Sequence, residues 1–166
     1  MIRLKQILVA TDFSEPSDAA LNYGRELGRA FGAHLQILHV VDNLTATVVG
    51  PEGYIGNLME IQRDVEEAAR KQLNALVDDE DRRELGARPI LLTSNSPAFA
   101  IVRHAKEAEV DLIVMGTHGR SGFGQLLMGS VAEKVVRSAP CPVLTVRHPE
   151  HEFVLPDALV AVARSA

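Results

Sequence analysis

The sequence is poor in the residues that mark several protein classes. It has no tryptophan, aromatic residues make up 4% of it, and Cys141 is its only cysteine. One thiol cannot form an internal disulfide or a thiolate metal cluster, which fits a reducing compartment. We therefore expect a cytoplasmic protein.

Positive charge and long apolar runs are also scarce. The chain has 17 Lys and Arg against 22 Asp and Glu, a formal net charge of −5, so it lacks the cationic surplus that holds a nucleic-acid backbone. No apolar run approaches the roughly 18 residues that span a bilayer. The run after Lys5 stops at Thr11, shorter than the core of a signal peptide. We expect no nucleic-acid partner, no membrane partner and no export.

The apolar residues that are present form a regular pattern. They make up 46% of 166 residues, enough for one folded domain. Five short aliphatic runs alternate with helix-like segments, and such strands are typical of a parallel sheet buried on both faces. We predict an α/β, doubly wound, Rossmann-like fold with five parallel strands in the order 3-2-1-4-5 and helices on both faces. The runs are Ile7–Ala10, Leu35–Val41, Ile90–Leu92, Leu112–Met115 and Val143–Val146.

Local signals place the first helices. Ser14 is a candidate N-cap and Gly32 a candidate C-terminal stop in the left-handed conformation. The glycine-containing stretch Thr45–Gly56 predicts a loop before a helix of about Asn57–Val77. The charge run Asp78–Glu84 is interpreted as a solvated helix end without a function.

The segment between the fourth strand and the next helix is rich in glycine. Residues 116–130 contain five glycines and lead into a helix that begins near Ser130. Glycine lets several backbone N–H groups point at one anion, and a helix N-terminus adds free N–H groups and a positive dipole end. Ligands of doubly wound sheets bind beyond the carboxyl ends of the strands at the switch point. The pattern therefore predicts a phosphate site at loops 11–14 and 116–129.

Two common phosphate motifs do not fit this segment. Gly119 to Gly124 has Walker spacing, but Gln125 and Leu126 stand where Lys and Ser or Thr are required. Gly122-Phe123-Gly124 begins a dinucleotide pattern that lacks its third glycine. The chain is therefore neither a P-loop protein nor a dinucleotide-binding Rossmann protein by motif.

A different signature does match. Gly116-x-x-Gly119, nine further residues and then Gly129-Ser130 fit the G-x2-G-x9-G-S/T pattern of the ATP-binding branch of the universal stress protein family, which the chain resembles from Ile7 to Val146. The resemblance implies a doubly wound domain, commonly homodimeric, that binds ATP, with slow hydrolysis or autophosphorylation in some members. It makes residues 1–147 a nucleotide-binding domain. Residues 148–166 lie outside the resemblance and form a C-terminal extension whose own sequence has the pattern of a short helix.

The resemblance also implies which residues face the nucleotide. Asp12 matches the acidic residue that faces the ribose and phosphates, and it is the candidate protein ligand for Mg²⁺ or Mn²⁺ bound with ATP. Val40 matches the strand position that meets adenine. The chain has Asn95-Ser96-Pro97 where many members have Gly-x-Pro, a departure that concerns the turn before a helix. The implied binding residues are Ala10, Thr11, Asp12, Val40, Met115, Gly116, His118, Gly119, Arg120, Gly129, Ser130 and Val131.

The predicted edge strand, Val143–Val146, needs a cover or a pairing partner because it is apolar. The resemblance supplies one, antiparallel pairing with a second copy, so we expect a homodimer. No catalytic residue can be assigned, because the sequence offers no clear general base, and His39 is interpreted as a satisfied core residue. We expect an ATP-binding regulatory stress-response protein with at most slow turnover. The alternatives are an adenine-nucleotide hydrolase or transferase that uses the same pocket, and a scaffold dimer with a vestigial pocket.

Overall fold

The computed structural model of the chain describes residues 1–47, 52–117 and 128–147. Strands and helices alternate along this part of the chain, and none of its helices is long and apolar enough to cross a membrane. The elements are β1 (Gln6–Ala10), α1 (Glu15–Phe31), β2 (His34–Val41), a 3-10 turn (Leu44–Thr47), α2 (Glu52–Ala75), α3 (Asp79–Glu84), β3 (Arg88–Thr93), α4 (Pro97–Glu107), β4 (Leu112–Gly116), α5 (Ser130–Ser138) and β5 (Val143–Val146).

The five strands form one parallel sheet in the order β3-β2-β1-β4-β5, which confirms the predicted fold. The central strand, β1, is shorter than its neighbour β2. Its last residue, Ala10, lies opposite Leu38 of β2 and Met115 of β4, and β2 runs on to Val41. A crevice therefore opens at the carboxyl edge of the sheet, above the end of β1.

Both faces of the sheet are covered, which explains why the apolar runs are nearly continuous. Ile7, Leu8 and Val9 are completely buried, and their alternating side chains enter two separate cores. Ile7 and Val9 pack on one face with residues of α1 and α2 and with Val77 and Leu85, which flank α3. Leu8 packs with residues of α4 and α5 on the other. The fold is thus a three-layer sandwich built around β1.

The ends of α1 confirm the local signals. Ser14 occupies the N-cap position, and Gly32 ends the helix with a left-handed φ of 65°. Inside the helix, Gly24 allows close packing on β1, since a Cβ at this position would overlap the side chain of Val9. Glycine is therefore required here by packing, against its low helix propensity.

The loop predicted for Thr45–Gly56 is wrong at its C-terminal end, where α2 has already begun, and residues 48–51 of it lie outside the described residues. A 3-10 turn covers Leu44–Thr47, and α2 begins at Glu52 and ends at Ala75. Two glycines lie inside the helix, each of which costs about 1 kcal/mol relative to alanine. A helix of 24 residues gains most of its stability from tertiary packing, which outweighs such local costs.

The charge run Asp78–Glu84 is only partly a solvated helix end. Asp81 is completely buried, and its carboxylate accepts hydrogen bonds from Nε and Nη2 of Arg25 at 3.0 and 2.7 Å. The same guanidinium donates to the backbone oxygen of Leu76 at 2.7 Å. Arg25 lies on α1 and Asp81 on α3, so a buried ion pair joins these helices to the end of α2.

Replacing Asp81 by Asn should therefore destabilise the protein strongly. Removing one partner of a buried ion pair costs about 3–5 kcal/mol, and we expect the lower end because the Arg25 side chain is still 21% exposed. Urea unfolding followed by circular dichroism measures the loss. The matched control is Glu84→Gln, which removes an exposed partner of Arg29 and should cost less than about 1 kcal/mol. Equal, small losses of unfolding free energy in both variants would contradict a stabilising role for the buried ion pair.

Candidate functional site

A cavity of about 330 Å³ lies in the crevice above the end of β1. Among the described residues, five parts of the fold line it: the end of β1 with the loop and first turn of α1, β2, α4, the end of β4 with the residue after it, and the start of α5. The lining residues are Ala10, Thr11, Asp12, Ser17, Leu38, His39, Val40, Pro97, Ile101, Met115, Gly116, Thr117, Gly129, Ser130, Val131 and Ala132.

Most of the residues proposed from the sequence come together here. Nine of the twelve line this one cavity, although they lie up to 121 positions apart in the chain (131 − 10). His118, Gly119 and Arg120 lie outside the described residues, as does the C-terminal extension. The nine are Ala10, Thr11, Asp12, Val40, Met115, Gly116, Gly129, Ser130 and Val131.

Hydrogen bonds between its own polar groups hold the loop from β1 to α1. The hydroxyl of Thr11 accepts a hydrogen bond from the backbone N–H of Phe13 at 3.0 Å and lies 3.0 Å from the hydroxyl of Ser17. Asp12 Oδ1 accepts from the backbone N–H of Ser14 at 3.2 Å and from the Ser14 hydroxyl. Phe13 has a φ of 63°, a left-handed conformation that is uncommon for a bulky residue. The loop thus presents Asp12 to the cavity in a specific, constrained conformation.

The backbone of Val40 faces the cavity. In a parallel strand the peptide groups of alternate residues turn to opposite neighbours. The oxygen of Leu38 accepts from Thr11 on the β1 side at 2.9 Å, and that of Val41 accepts from Ser94 on the β3 side at 2.9 Å. Val40, two residues after Leu38, therefore turns its N–H and C=O to the β1 side, where β1 has ended. Its peptide edge offers a ligand one donor and one acceptor.

The opposite wall is made by the end of β4 and the start of α5. The N–H of Gly129, the N-cap residue, donates to the oxygen of Thr117 at 2.7 Å, which ties the helix start to the strand end. Ser130, Val131 and Ala132 form the first turn of α5 and line the cavity. First-turn N–H groups have no partner within their own helix, so the positive end of α5 is directed at the cavity.

Gly116 has a packing role that the glycine pattern did not reveal. A Cβ at this position would lie 3.0 Å from the backbone carbon and oxygen of Pro16, closer than side-chain carbons normally approach backbone. The absence of a side chain therefore lets β4 end directly against the first turn of α1. The close approach draws the two sides of the crevice together.

Several lining residues were not proposed from the sequence. His39, interpreted as a core residue, is indeed buried, with Nδ1 at 2.8 Å from the oxygen of Thr11, but it also lines the cavity. Pro97 and Ile101 lie on α4, which starts at the same edge of the sheet as the glycine segment. The signal for these two residues was available, since every strand-to-helix connection of a parallel sheet ends at that edge.

Residues 3–147 match the family model described as the universal stress protein family. The chain belongs to the universal stress protein family. A Bacillus subtilis universal stress protein, YxiE, is 36% identical over 149 residues, which cover 86% of this chain and 98% of that protein.

Solved structures of universal stress proteins share the fold. The Lactobacillus plantarum protein UspA has a TM-score of 0.70 and 25% identity, with 89% of this chain and 100% of that chain covered. An Archaeoglobus fulgidus universal stress protein in complex with dAMP has a TM-score of 0.57 and 24% identity, with 88% and 99% covered. The doubly wound sheet of this universal stress protein is thus that of its family.

The contact between Gly116 and Pro16 can be tested by adding a methyl group. Gly116→Ala should lower the free energy of unfolding by about 1–3 kcal/mol, the usual cost of overpacking. It should also shift the backbone NMR signals of Glu15 and Ser17, the neighbours of Pro16. In Gly32→Ala, the control, the new Cβ meets nothing within 4 Å, so only the left-handed backbone is strained. If Gly116→Ala leaves the signals of the first turn of α1 unchanged, the close approach is not present in solution.

Proposed function

We propose that the cavity binds an adenine nucleotide, ATP together with Mg²⁺ or Mn²⁺, and that the protein is a homodimeric regulator whose nucleotide occupancy alters its loops or its dimer. The observation that carries this proposal is the arrangement above the end of β1. There the peptide edge of Val40 faces the Asp12 loop and the first turn of α5, the helix start that bears Gly129 and Ser130.

The base is proposed to bind at the Val40 side. Pro97 and Ile101 line this cavity together with Val40, and their apolar surfaces suit the faces of a planar base. The Val40 N–H and C=O provide a donor and an acceptor at fixed spacing, which suits N1 and the N6 amino group of adenine. Backbone recognition explains how a base could be selected by the main chain of Val40.

The phosphates are proposed to bind at the start of α5. N–H groups of a helix N-terminus are ready donors to anions, and a hydrogen bond to a charged group contributes about 1.5–3 kcal/mol. Three such bonds would support micromolar affinity after the cost of association. The family resemblance assigns His118, Gly119 and Arg120 to the same task.

The phosphates of the nucleotide, more than the protein, would bind the proposed cation. Asp12 is the only carboxylate among the described residues that line the cavity, and in that part of the chain no three His, Cys, Asp or Glu side chains form a metal cluster. Mg²⁺ commonly takes one or two carboxylates plus phosphate oxygens and water. Asp12 is thus proposed as its protein ligand, and the cation would offset phosphate charge.

The family relationship supports the choice of nucleotide. The Archaeoglobus fulgidus universal stress protein, at 24% identity, shares the fold and is a complex with dAMP, and another universal stress protein, at 22% identity, is a complex with cAMP. Adenine nucleotides are therefore ligands that proteins of this fold accept, and ATP is the member we propose for this chain.

Nucleotide binding is tested with wild type and Gly129→Val by isothermal titration calorimetry. We expect micromolar affinity for ATP with Mg²⁺, and at least a tenfold loss in the variant because the added side chain blocks the first-turn N–H groups. Gly129 has φ −60° and ψ 149°, which any residue adopts, so the loss would report obstruction rather than backbone strain. Gly129→Ala, with its smaller side chain, should lose less.

The competitors and the turnover rate separate the alternatives. Competition by AMP, GTP and cyclic nucleotides shows how much the base and the phosphates each contribute to the affinity. A folded wild type that binds none of them would favour the scaffold dimer. Steady-state turnover above about 1 s⁻¹ with a defined acceptor, an ordinary enzyme rate, would favour the hydrolase or transferase.

The dimer is proposed to form through β5. This strand lies at the edge of the sheet, and its hydrogen bonds define which peptide groups face outward. The oxygens of Pro142 and Val146 accept from β4 and from Thr117, so the peptide groups of Val143 and Thr145 turn to the open edge. Antiparallel pairing with a second β5 would satisfy them.

Thr145→Pro tests this pairing with little damage to the subunit. Proline removes an N–H that faces the open edge, a substitution that edge strands tolerate. We expect light scattering at micromolar concentration to give the mass of a dimer for wild type and of a monomer for the variant. Leu144→Pro is the control for damage to the subunit, since Leu144 turns its N–H to β4 and the variant should lose thermal stability. A monomeric wild type would contradict the proposal.

A further inference from the structure

We propose that His39 is a positioning residue that holds the Asp12 loop in the conformation competent to bind the nucleotide. The inference rests on the proposed function, because the nucleotide would bind in the same cavity. It goes further by assigning the preorganisation of the loop to one side chain of β2.

The hydrogen bond of His39 has a defined direction. Its Nδ1 lies 2.8 Å from the backbone oxygen of Thr11. A carbonyl oxygen only accepts hydrogen bonds, so Nδ1 must carry the proton. The bond crosses from β2 to the point where β1 has just ended, and it anchors the residue immediately before Asp12.

The ring of His39 also supports the residue immediately after Asp12. The rings of His39 and Phe13 have their centroids 4.3 Å apart and are tilted by 42°. Phe13 is held at φ 63°, and such a conformation persists only where its surroundings enforce it. The ring contact and the bond from the Phe13 N–H to the Thr11 hydroxyl together provide that enforcement.

Asp12 is therefore held from both sides by one imidazole. Thr11 is fixed through its oxygen and Phe13 through its ring, and Asp12 Oδ1 is turned toward the N–H of Ser14 at 3.2 Å. Thr11 and Ser17 are buried, so their hydroxyl contact fixes the base of the loop. A loop that is already ordered in the free protein loses less conformational entropy when a ligand binds.

His39 is the neighbour of Val40 in β2. It directly precedes Val40, the residue proposed to meet the base, so one stretch of β2 contacts the base and supports the loop that faces the ribose and phosphates. A residue needed only to fill the core would be served by an aliphatic side chain, as at Leu38 and Val41, both buried neighbours in β2. An imidazole at position 39 supplies a donor and a ring together.

Two substitutions separate the donor from the ring. His39→Asn keeps an N–H donor near the position of Nδ1 and loses the ring contact. His39→Phe keeps a ring against Phe13 and loses the donor. We expect each variant to fold, since each keeps one of the two contacts, and we expect the loop to be more disturbed in His39→Phe.

The first measurement uses the full chain without nucleotide. Nitrogen-15 NMR of the histidine rings should find Nδ1 of His39 protonated, and amide hydrogen exchange at Phe13 and Ser14 should be at least tenfold faster in His39→Phe than in wild type. His39→Asn should restore part of the protection. Unchanged exchange in His39→Phe would overturn the proposal, whether or not the protein binds ATP.

The second measurement is a double-mutant cycle for ATP affinity with Asp12→Asn. If His39 acts through the Asp12 loop, His39→Phe should weaken ATP binding about tenfold in the wild-type background and less than threefold in Asp12→Asn. A structural role unrelated to Asp12 would give equal losses in both backgrounds and would overturn the inference.

The two measurements also keep the two proposals apart. A wild type that binds no nucleotide while the exchange pattern is as expected would refute the proposed function and retain the support of the loop by His39. Tight ATP binding by the wild type, with equal losses of affinity in both backgrounds of the cycle, would support the proposed function and refute the role of His39.

Discussion

The structure depends on where its central strand stops. A parallel strand presents peptide groups to both neighbours, and those groups must be paired or face solvent or a ligand. β1 ends at Ala10 while β2 continues to Val41, so Val40 turns its peptide edge into open space. The crevice, its donor and its acceptor follow from this difference in strand length.

The surrounding elements keep that crevice compact. Glycines at 24 and 116 let α1 pack directly on β1 and on the end of β4, where a Cβ would meet Val9 or Pro16. The first turn of α5 lies against the other wall through the bond between Gly129 and Thr117. The same residue type therefore serves packing at some positions and, in our proposal, access to phosphate at Gly129.

Much of the fold could be read from the sequence because its signals are local and periodic. Nearly continuous aliphatic runs indicate strands covered on both faces, and their alternation with helices leads to the sheet order that the structure confirms. The α2 start could not be read, because glycine inside a long helix is tolerated once packing outweighs propensity. Asp81 was missed for a related reason: a charge run shows no sign of which carboxylate meets an arginine 56 positions away.

By itself, the sequence determined the class of fold, the family and the identity of most residues placed around the cavity, since strands, glycine spacing and helix starts are encoded within a few neighbours. Only the tertiary structure decided how these residues meet. The direction of the Val40 peptide depends on hydrogen bonds to two other strands. The support of the Asp12 loop depends on His39, a ring that reaches Thr11 across 28 positions. Such contacts are set by strand register and the packing of layers, which no local pattern contains.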